Sequence, residues 1–308
     1  MINCAIIGCG NIAGGYDNPD DDKIRTHAKA FQRHSRCHLV GVCDSDLDKA
    51  NYFAKLWDAS FATVDPVELL DRCKPDLLSI CTPTNTHEEF FQLACRKHIA
   101  HVWLEKPAAG SLGAVERMLE LANATENQVW VNYFRRYDPG FIAIKARLPE
   151  LGKIQHVRAL YTKGLRHNGS HLIDLLLWYF GEITKIKVNE ILDDTEFPSV
   201  SARLQTETAD VDLVALDYKA YEMFELDILG ESGRVRVIDG GQKIISERVV
   251  ESKYYNGYRN LAVYEVHTGT YTTFMKNGLS RGLKGKLMPG LLEEIAIQKV
   301  LDSIRVNP

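Results

Sequence analysis

The chain has 308 residues, enough for two domains of ordinary size, and its 45% hydrophobic and 25% charged residues describe a globular protein with ample core material, not a disordered or fibrous one. A formal net charge of −4 gives no electrostatic reason to bind nucleic acid or an anionic membrane, and no apolar run approaches the ~20 residues a spanning helix needs. Seven cysteines, all between Cys4 and Cys95, are odd in number and form no C-x-x-C pair. That argues against a disulfide framework or thiolate zinc site and for a reducing, cytoplasmic setting, with no metal expected and no secretory leader evident.

In chain order, strand patterns at Asn3–Ile7, His38–Cys43, Leu77–Cys81, His101–Leu104 and Val129–Val131 alternate with helical patterns near Arg25–His34, Asp46–Asp58, Asp65–Cys73, Thr86–Lys97 and Leu112–Ala124. Strands and helices alternating at this spacing predict βαβ units and a parallel, doubly wound sheet over residues 1–132. Beyond Asn132 strand-like runs follow one another: Ile154–Thr162, Ile183–Ile191, Val211–Tyr218, Phe224–Leu229, Val235–Ile238 and Lys243–Ser246, with turns expected at Gly233-Arg234 and Gly240-Gly241. This predicts a second α/β domain over 133–308, built on a mostly antiparallel open sheet. One helix interrupts it, Ser170–Phe180, apolar on most of its faces and therefore buried. A last helix over 290–304 closes the chain, and packing on the first domain is one of its open options.

The first strand runs into Gly8-Cys9-Gly10-Asn11-Ile12-Ala13, a G-x-G-x-x-A turn. Gly8 permits the tight turn, Gly10 lets backbone approach a pyrophosphate, and Ala13 allows close packing. A glycine turn used only structurally is the bland alternative. Asp44 ends the second strand, where a carboxylate can accept hydrogen bonds from both ribose hydroxyls of NAD and repel the extra phosphate of NADP. Its alternative is capping of the next helix, a task Ser45 and Asp46 can also perform. From Gly8 to Asp44 is 36 residues, where ~20 is usual. The excess sits in the acidic stretch from Gly14 to Lys23. Asp17, Asp20, Asp21 and Asp22 beside a pyrophosphate would repel it, so the loop is expected to swing outward. A lid or an oligomer contact are further readings of it.

Three more motifs follow in order: Cys81-Thr82-Pro83-Thr84-Asn85-Thr86-His87, then Glu105-Lys106-Pro107, then Gly169-Ser170-His171-Leu172-Ile173-Asp174. With the glycine turn and the segment from Asn132 to Pro139, they resemble the glucose–fructose oxidoreductase/inositol dehydrogenase (Gfo/Idh/MocA) family over nearly the whole chain. The resemblance implies a Rossmann domain binding NAD or NADP, a second domain whose sheet mediates a homodimer or homotetramer, and a site between the two. It implies a small sugar-like or cyclitol substrate. Gly8, Gly10, Asn11, Ile12, Asp44, Thr82, Pro83, Thr84, Asn85, His87, Glu105 and Lys106 would then contact the cofactor.

Lys106 follows a parallel strand, at the sheet edge where open α/β folds bind ligands, and its ammonium can stabilise alkoxide character as hydride leaves carbon. A surface lysine is the alternative on composition alone. His171 is the expected general base, since an imidazole titrates near working pH and the positive end of the helix it opens favours the neutral ring. Its alternative is a helix-terminal histidine bonded to backbone. Asp174, one turn on, can orient that imidazole or serve as a cap. Many relatives carry an acid four residues before this histidine; here it is His167, which leaves the division of labour between His167 and His171 open. Arg135, Arg136, Lys163, Arg166 and Asn168 fall where the family's substrate pocket would form, and the four cations would suit a phosphate or carboxylate, unless they are ordinary surface ion pairs. An oxidoreductase acting on a sugar or cyclitol hydroxyl is the leading reading. A non-catalytic dinucleotide or sugar sensor, and an NAD-assisted lyase or glycosidase, are the alternatives.

Overall fold

The computed structural model describes residues 1–192, 198–269, 272–286 and 288–306. The chain divides into two compact units, one of Met1–Tyr137 with 271–295, the other of Asp138–Thr270 with 296–308.

In the first unit β1 (Ile2–Ile7), β2 (Cys37–Cys43), β3 (Ala62–Thr63), β4 (Leu77–Ile80), β5 (His101–Leu104) and β6 (Gln128–Val131) form one parallel sheet in the order β3-β2-β1-β4-β5-β6. Order reverses between β1 and β4, the switch point at which doubly wound sheets open a crevice at their carboxyl ends. β4 is buried at every position and β1 from Cys4 onward, as parallel strands covered on both faces must be.

The helices α1 (His27–Gln32), α2 (Leu47–Trp57), α3 (Pro66–Cys73), α4 (His87–Arg96) and α5 (Leu112–Thr125) lie between the strands. Local chemistry sets their limits. Asp46 accepts hydrogen bonds from the amides of Asp48 and Lys49, Asp65 caps α3 just ahead of Pro66, and Ser111 caps α5. α2, α3 and α5 end on left-handed residues, Asp58, Lys74 and Glu126. The two-residue strand β3 escapes the sequence pattern because it is too short to show alternation.

The second unit holds α6 (Pro139–Arg147), β7 (Ile154–Tyr161), α7 (Ser170–Phe180), β8 (Ile183–Leu192), β9 (Ser199–Thr206), β10 (Asp210–Ala215), β11 (Phe224–Gly230), β12 (Gly233–Ile238), β13 (Lys243–Glu251) and β14 (Arg259–Thr268). Its eight strands run β14-β13-β12-β11-β7-β10-β9-β8, antiparallel throughout except for the central parallel pair β7 and β10. Burial alternates along β10, β11 and β12, which gives this sheet one buried and one open face. Gly233 is the first residue of β12, so the expected Gly233-Arg234 turn lies two residues earlier, at Glu231-Ser232; the Gly240-Gly241 turn is present, with both glycines at positive φ.

α8 (Phe274–Gly282) belongs to the first unit. Gly278 lets Tyr137 approach and Gly282 lets Trp130 approach, each within 3 Å of where a Cβ would stand. The last helix, α9 (Leu291–Val306), contributes its residues to Ile295 to the first unit and those from Ala296 to the second. Among the described residues no helix is long and apolar enough to cross a membrane.

Candidate active site

The carboxyl ends of the parallel strands bring most of the first-unit candidates together. β1 delivers Gly8, whose φ of +91° suits glycine, and a Cβ there would stand 2.7 Å from the carbonyl of Cys81. The glycine turn is thereby pressed against the start of the Thr82-Pro83-Thr84-Asn85 segment at the end of β4. Gly10 instead has open space where its Cβ would be. A turn that is crowded at its first glycine and vacant at its second fits the close approach of a pyrophosphate to backbone.

The glycine turn continues into one π-helical turn, Asn11–Gly15, with exposed Asn11 and half-buried Ile12. It stops because the acidic insertion intervenes, and α1 begins only at His27. Asp20, Asp21 and Asp22 are exposed, but Asp17 corrects the expectation of a wholly outward loop. It is buried, accepting from the Arg25 amide (2.7 Å), the Arg25 guanidinium (2.9 Å) and the Thr26 hydroxyl (2.9 Å). Lys29, fully enclosed, donates to the carbonyls of Asn18 and Pro19. Enclosed Lys29 and half-exposed Arg25 thus hold the loop, through the backbone carbonyls of Asn18 and Pro19 and the Asp17 carboxylate respectively. Among the described residues no group of three or more His, Cys, Asp or Glu side chains could hold a metal ion.

Asp44 sits at the end of β2, with Oδ2 2.8 Å from the Cys9 amide of the glycine turn and 2.9 Å from the Lys49 ammonium. Burial raises its carboxyl, yet the Lys49 contact and the amides of Cys9 and Asp46 outweigh that and hold it below the usual carboxylate range. Asp46 performs the helix capping, and Asp44 braces the glycine turn and presents a fixed negative charge there. Lys49, five residues on, is a neighbour the strand pattern did not single out.

At the end of β4, Thr84–Thr86 form a short 3-10 turn, and Thr82 accepts from the Thr86 hydroxyl at 2.8 Å. The ring nitrogens of buried His87 face the carbonyls of Thr82 (2.8 Å) and Pro107 (3.0 Å). His87 therefore clamps the Thr-Pro segment to the Glu105-Lys106-Pro107 segment from inside.

Glu105 is buried at the end of β5. Its Oε1 lies 2.9 Å from His27 Nε2 and 2.5 Å from Asn132 Nδ2. Burial raises this carboxyl too, but His27, Asn132 and Lys106 together bring it below the usual value. Lys106 is only partly exposed, and burial drives its amine from 10.5 down to about 8. Glu105 and Glu294 support the ammonium, and Arg135 opposes it. Arg135 is itself buried, with its guanidinium 4.6 Å from the Phe134 ring centroid. Arg136 is half-buried in the same 3-10 turn.

In the second unit a π-helical stretch, Gly164–Gly169, runs directly into α7. His171 is buried within this continuous helical path and does not open it. The expected influence of a positive helix end on the imidazole is corrected accordingly, because the helical path begins upstream at Gly164, where the amides of Gly164 and Leu165 already donate to Ser199 and Pro198. Asp174 is buried one turn later, His167 is exposed and Asn168 half-buried. Lys163, in the left-handed region at φ 62°, pairs with Glu222, and Arg166 donates to Gln298 (3.0 Å) and Asp302 (2.8 Å). Two of the four cations considered for an anionic substrate therefore have carboxylate partners within their own unit.

Residues 2–133 match the family model described as oxidoreductase family, NAD-binding Rossmann fold (Gfo/Idh/MocA). This unit is a Gfo/Idh/MocA Rossmann domain. The chain is 25% identical to the myo-inositol 2-dehydrogenase of Thermotoga maritima, over 73% of this chain and 72% of that protein, and 22% identical to the inositol 2-dehydrogenase of Rhizobium meliloti, over 82% of each. An oxidoreductase from Agrobacterium radiobacter, solved in complex with NAD+, L-tartaric acid and magnesium, shares the fold at a TM-score of 0.78 and 14% identity, covering 99% of this chain and 96% of that one. Residues 2–133 thus match the NAD-binding Rossmann domain of Gfo/Idh/MocA oxidoreductases, and the chain as a whole, with its two sheets, shares the fold of that solved structure.

Proposed function

We propose that the protein is an NAD-dependent dehydrogenase acting on a secondary hydroxyl, or the corresponding ketone, of a sugar, sugar phosphate, nucleotide sugar or cyclitol. The observation that carries this reading is the convergence of the glycine turn, Asp44, the Thr82 segment and a lysine with a much depressed proton affinity at one edge of the parallel sheet. Inositol dehydrogenases among the relatives support the substrate class. Residues 1–132 bind the dinucleotide in this assignment, and 133–308 carry the substrate-binding and self-association surfaces.

The residues divide the work as follows. Asp44 accepts hydrogen bonds from the adenosine ribose, and its charge selects against a 2′-phosphate, so NAD is favoured over NADP. The nicotinamide, when bound, accepts or returns the hydride. Lys106 donates to the reacting oxygen and stabilises its developing negative charge, more strongly in a partly desolvated setting than in water. His171 takes the hydroxyl proton during oxidation and returns it during reduction, with Asp174 orienting the ring and His167 and Asn168 binding substrate hydroxyls. Arg135, close enough to influence Lys106, is the cation best placed to receive an anionic substituent.

Self-association into a homodimer or homotetramer uses the second sheet, where the edge strand β14 exposes Leu261, Val263, Tyr264 and Val266. Light scattering of wild type against Val263→Lys/Val266→Lys tests it, since two buried charges would dissociate the assembly. The test of the activity is NADH formation across a panel of cyclitols, sugars, sugar phosphates and nucleotide sugars, with Lys106→Ala as control. Turnover of one class that Lys106→Ala abolishes supports the proposal; undiminished turnover in that variant overturns it.

A further inference from the structure

His27 is the first residue of α1, wholly enclosed and packed on Trp103 with ring centroids 4.2 Å apart. Its Nδ1 lies 2.9 Å from Ser79 Oγ on β4, and its Nε2 2.9 Å from Glu105 Oε1 at the end of β5. Asn132, at the end of β6, reaches the same carboxylate oxygen. An ionised carboxylate only accepts, so Nε2 carries a proton toward Glu105. Nδ1 then accepts from the Ser79 hydroxyl in the neutral ring, or donates to it in the charged one. The insertion secures this placement, because Asp17 holds Thr26, the residue that caps α1 immediately before His27.

We propose that His27 is a positioning residue for Lys106, holding Glu105 ionised and fixed as the lysine's counter-charge. The inference rests on the reading of Lys106 as a catalytic group. The charged groups facing Lys106 are Glu105, Glu294 and Arg135. Those facing Glu105 are His27 and Lys106, with the Cys81 thiol also within its field. Glu294 is held separately, by the Tyr133 hydroxyl at 2.7 Å, so His27 acts on one of the two supporting carboxylates and not on the other. Without the His27 donor, an enclosed carboxylate keeps the Asn132 amide and loses its other strong donor. It then binds a proton more readily, and the Lys106 ammonium loses the stronger of its two nearby carboxylate supports.

The test compares His27→Gln, which retains an N–H near the Nε2 position, with His27→Phe, which retains an aromatic ring and removes the donor. The primary readout is the pH midpoint for acetic anhydride labelling of Lys106 in NAD-free protein, followed by peptide mass spectrometry and normalised to exposed lysines. Wild type should titrate at about 8. His27→Phe should titrate lower by roughly half a unit or more, the size expected when a nearby counter-charge is lost, with His27→Gln close to wild type. The alkaline limb of kcat/KM should move in parallel. Glu105→Gln, nearly isosteric, should reproduce the His27→Phe displacement and gives the answer if His27→Phe does not fold. An unmoved Lys106 midpoint in folded His27→Phe, or in Glu105→Gln, overturns the inference. Full activity in Lys106→Ala would instead remove the catalytic reading of the lysine, an outcome read separately from the labelling.

Discussion

Replacing Lys106 with Met should make the protein more stable at neutral pH while abolishing its activity. A lysine that titrates at 10.5 when free and at about 8 in the fold is protonated at pH 7 in both states, but its ammonium is disfavoured in the folded one. The difference corresponds to roughly 3 kcal/mol at 1.36 kcal/mol per pKa unit. Between pH 8 and 10.5 the unfolded chain binds more protons than the folded chain, so stability rises with pH in that window. Below pH 8 the full cost is present and constant. Met has comparable length and no charge, so the variant removes this cost. Glu105 and Glu294 lose a counter-charge in exchange, leaving a net gain of about 1–3 kcal/mol at pH 7. For a protein of this size the gain is a rise of roughly 2–8 °C in Tm. Calorimetry at pH 7 and pH 10 measures it, and the advantage of the variant should shrink at the higher pH. A Met variant less stable than wild type at pH 7, or a Tm difference that does not depend on pH, would refute the argument that a strained, depressed ammonium occupies this edge. The same value sets the alkaline limb of kcat/KM near pH 8, because deprotonation above it removes the charge that stabilises the alkoxide.

Asp44→Ser should raise the NADP/NAD ratio of kcat/KM by roughly 10–100-fold, since one carboxylate charge disappears and Lys49 is released to meet a 2′-phosphate; steady-state kinetics with both cofactors give the ratio. His171→Ala should lower kcat by about 10²–10⁴-fold, the range for a general base, with the NAD Kd from fluorescence titration unchanged. Gly8→Ala should abolish NAD binding measured by the same titration, because a methyl group would meet the Cys81 carbonyl at 2.7 Å from a backbone already at φ +91°.

Five of the six strands of the first unit, all but the two-residue β3, were legible because parallel, doubly covered strands are short apolar runs, and their glycines, acid and lysine fall at the ends of those runs in chain order. α7 was legible from its apolar faces. β9 escaped because Ser199, Ser201 and Thr206 dilute its apolar signal, although these small polar residues are buried. α8 escaped because Gly278 and Gly282 look like breakers, whereas they are there for the approach of Tyr137 and Trp130. α6 was missed despite a readable start, the Asp138 cap followed by Pro139.

Residue order alone therefore determined which chemical groups this protein brings to the ends of its strands, since hydrophobic period, caps and turn residues act over a few positions. Tertiary structure decided what those groups experience. His27 lies 52 residues from Ser79 and 78 from Glu105, and Asp44 meets the amide of a residue 35 positions earlier. The proton affinity of Lys106 follows from charges and burial assembled across such separations, because electrostatic interaction depends on distance in space and on excluded water, and neither can be counted along a chain.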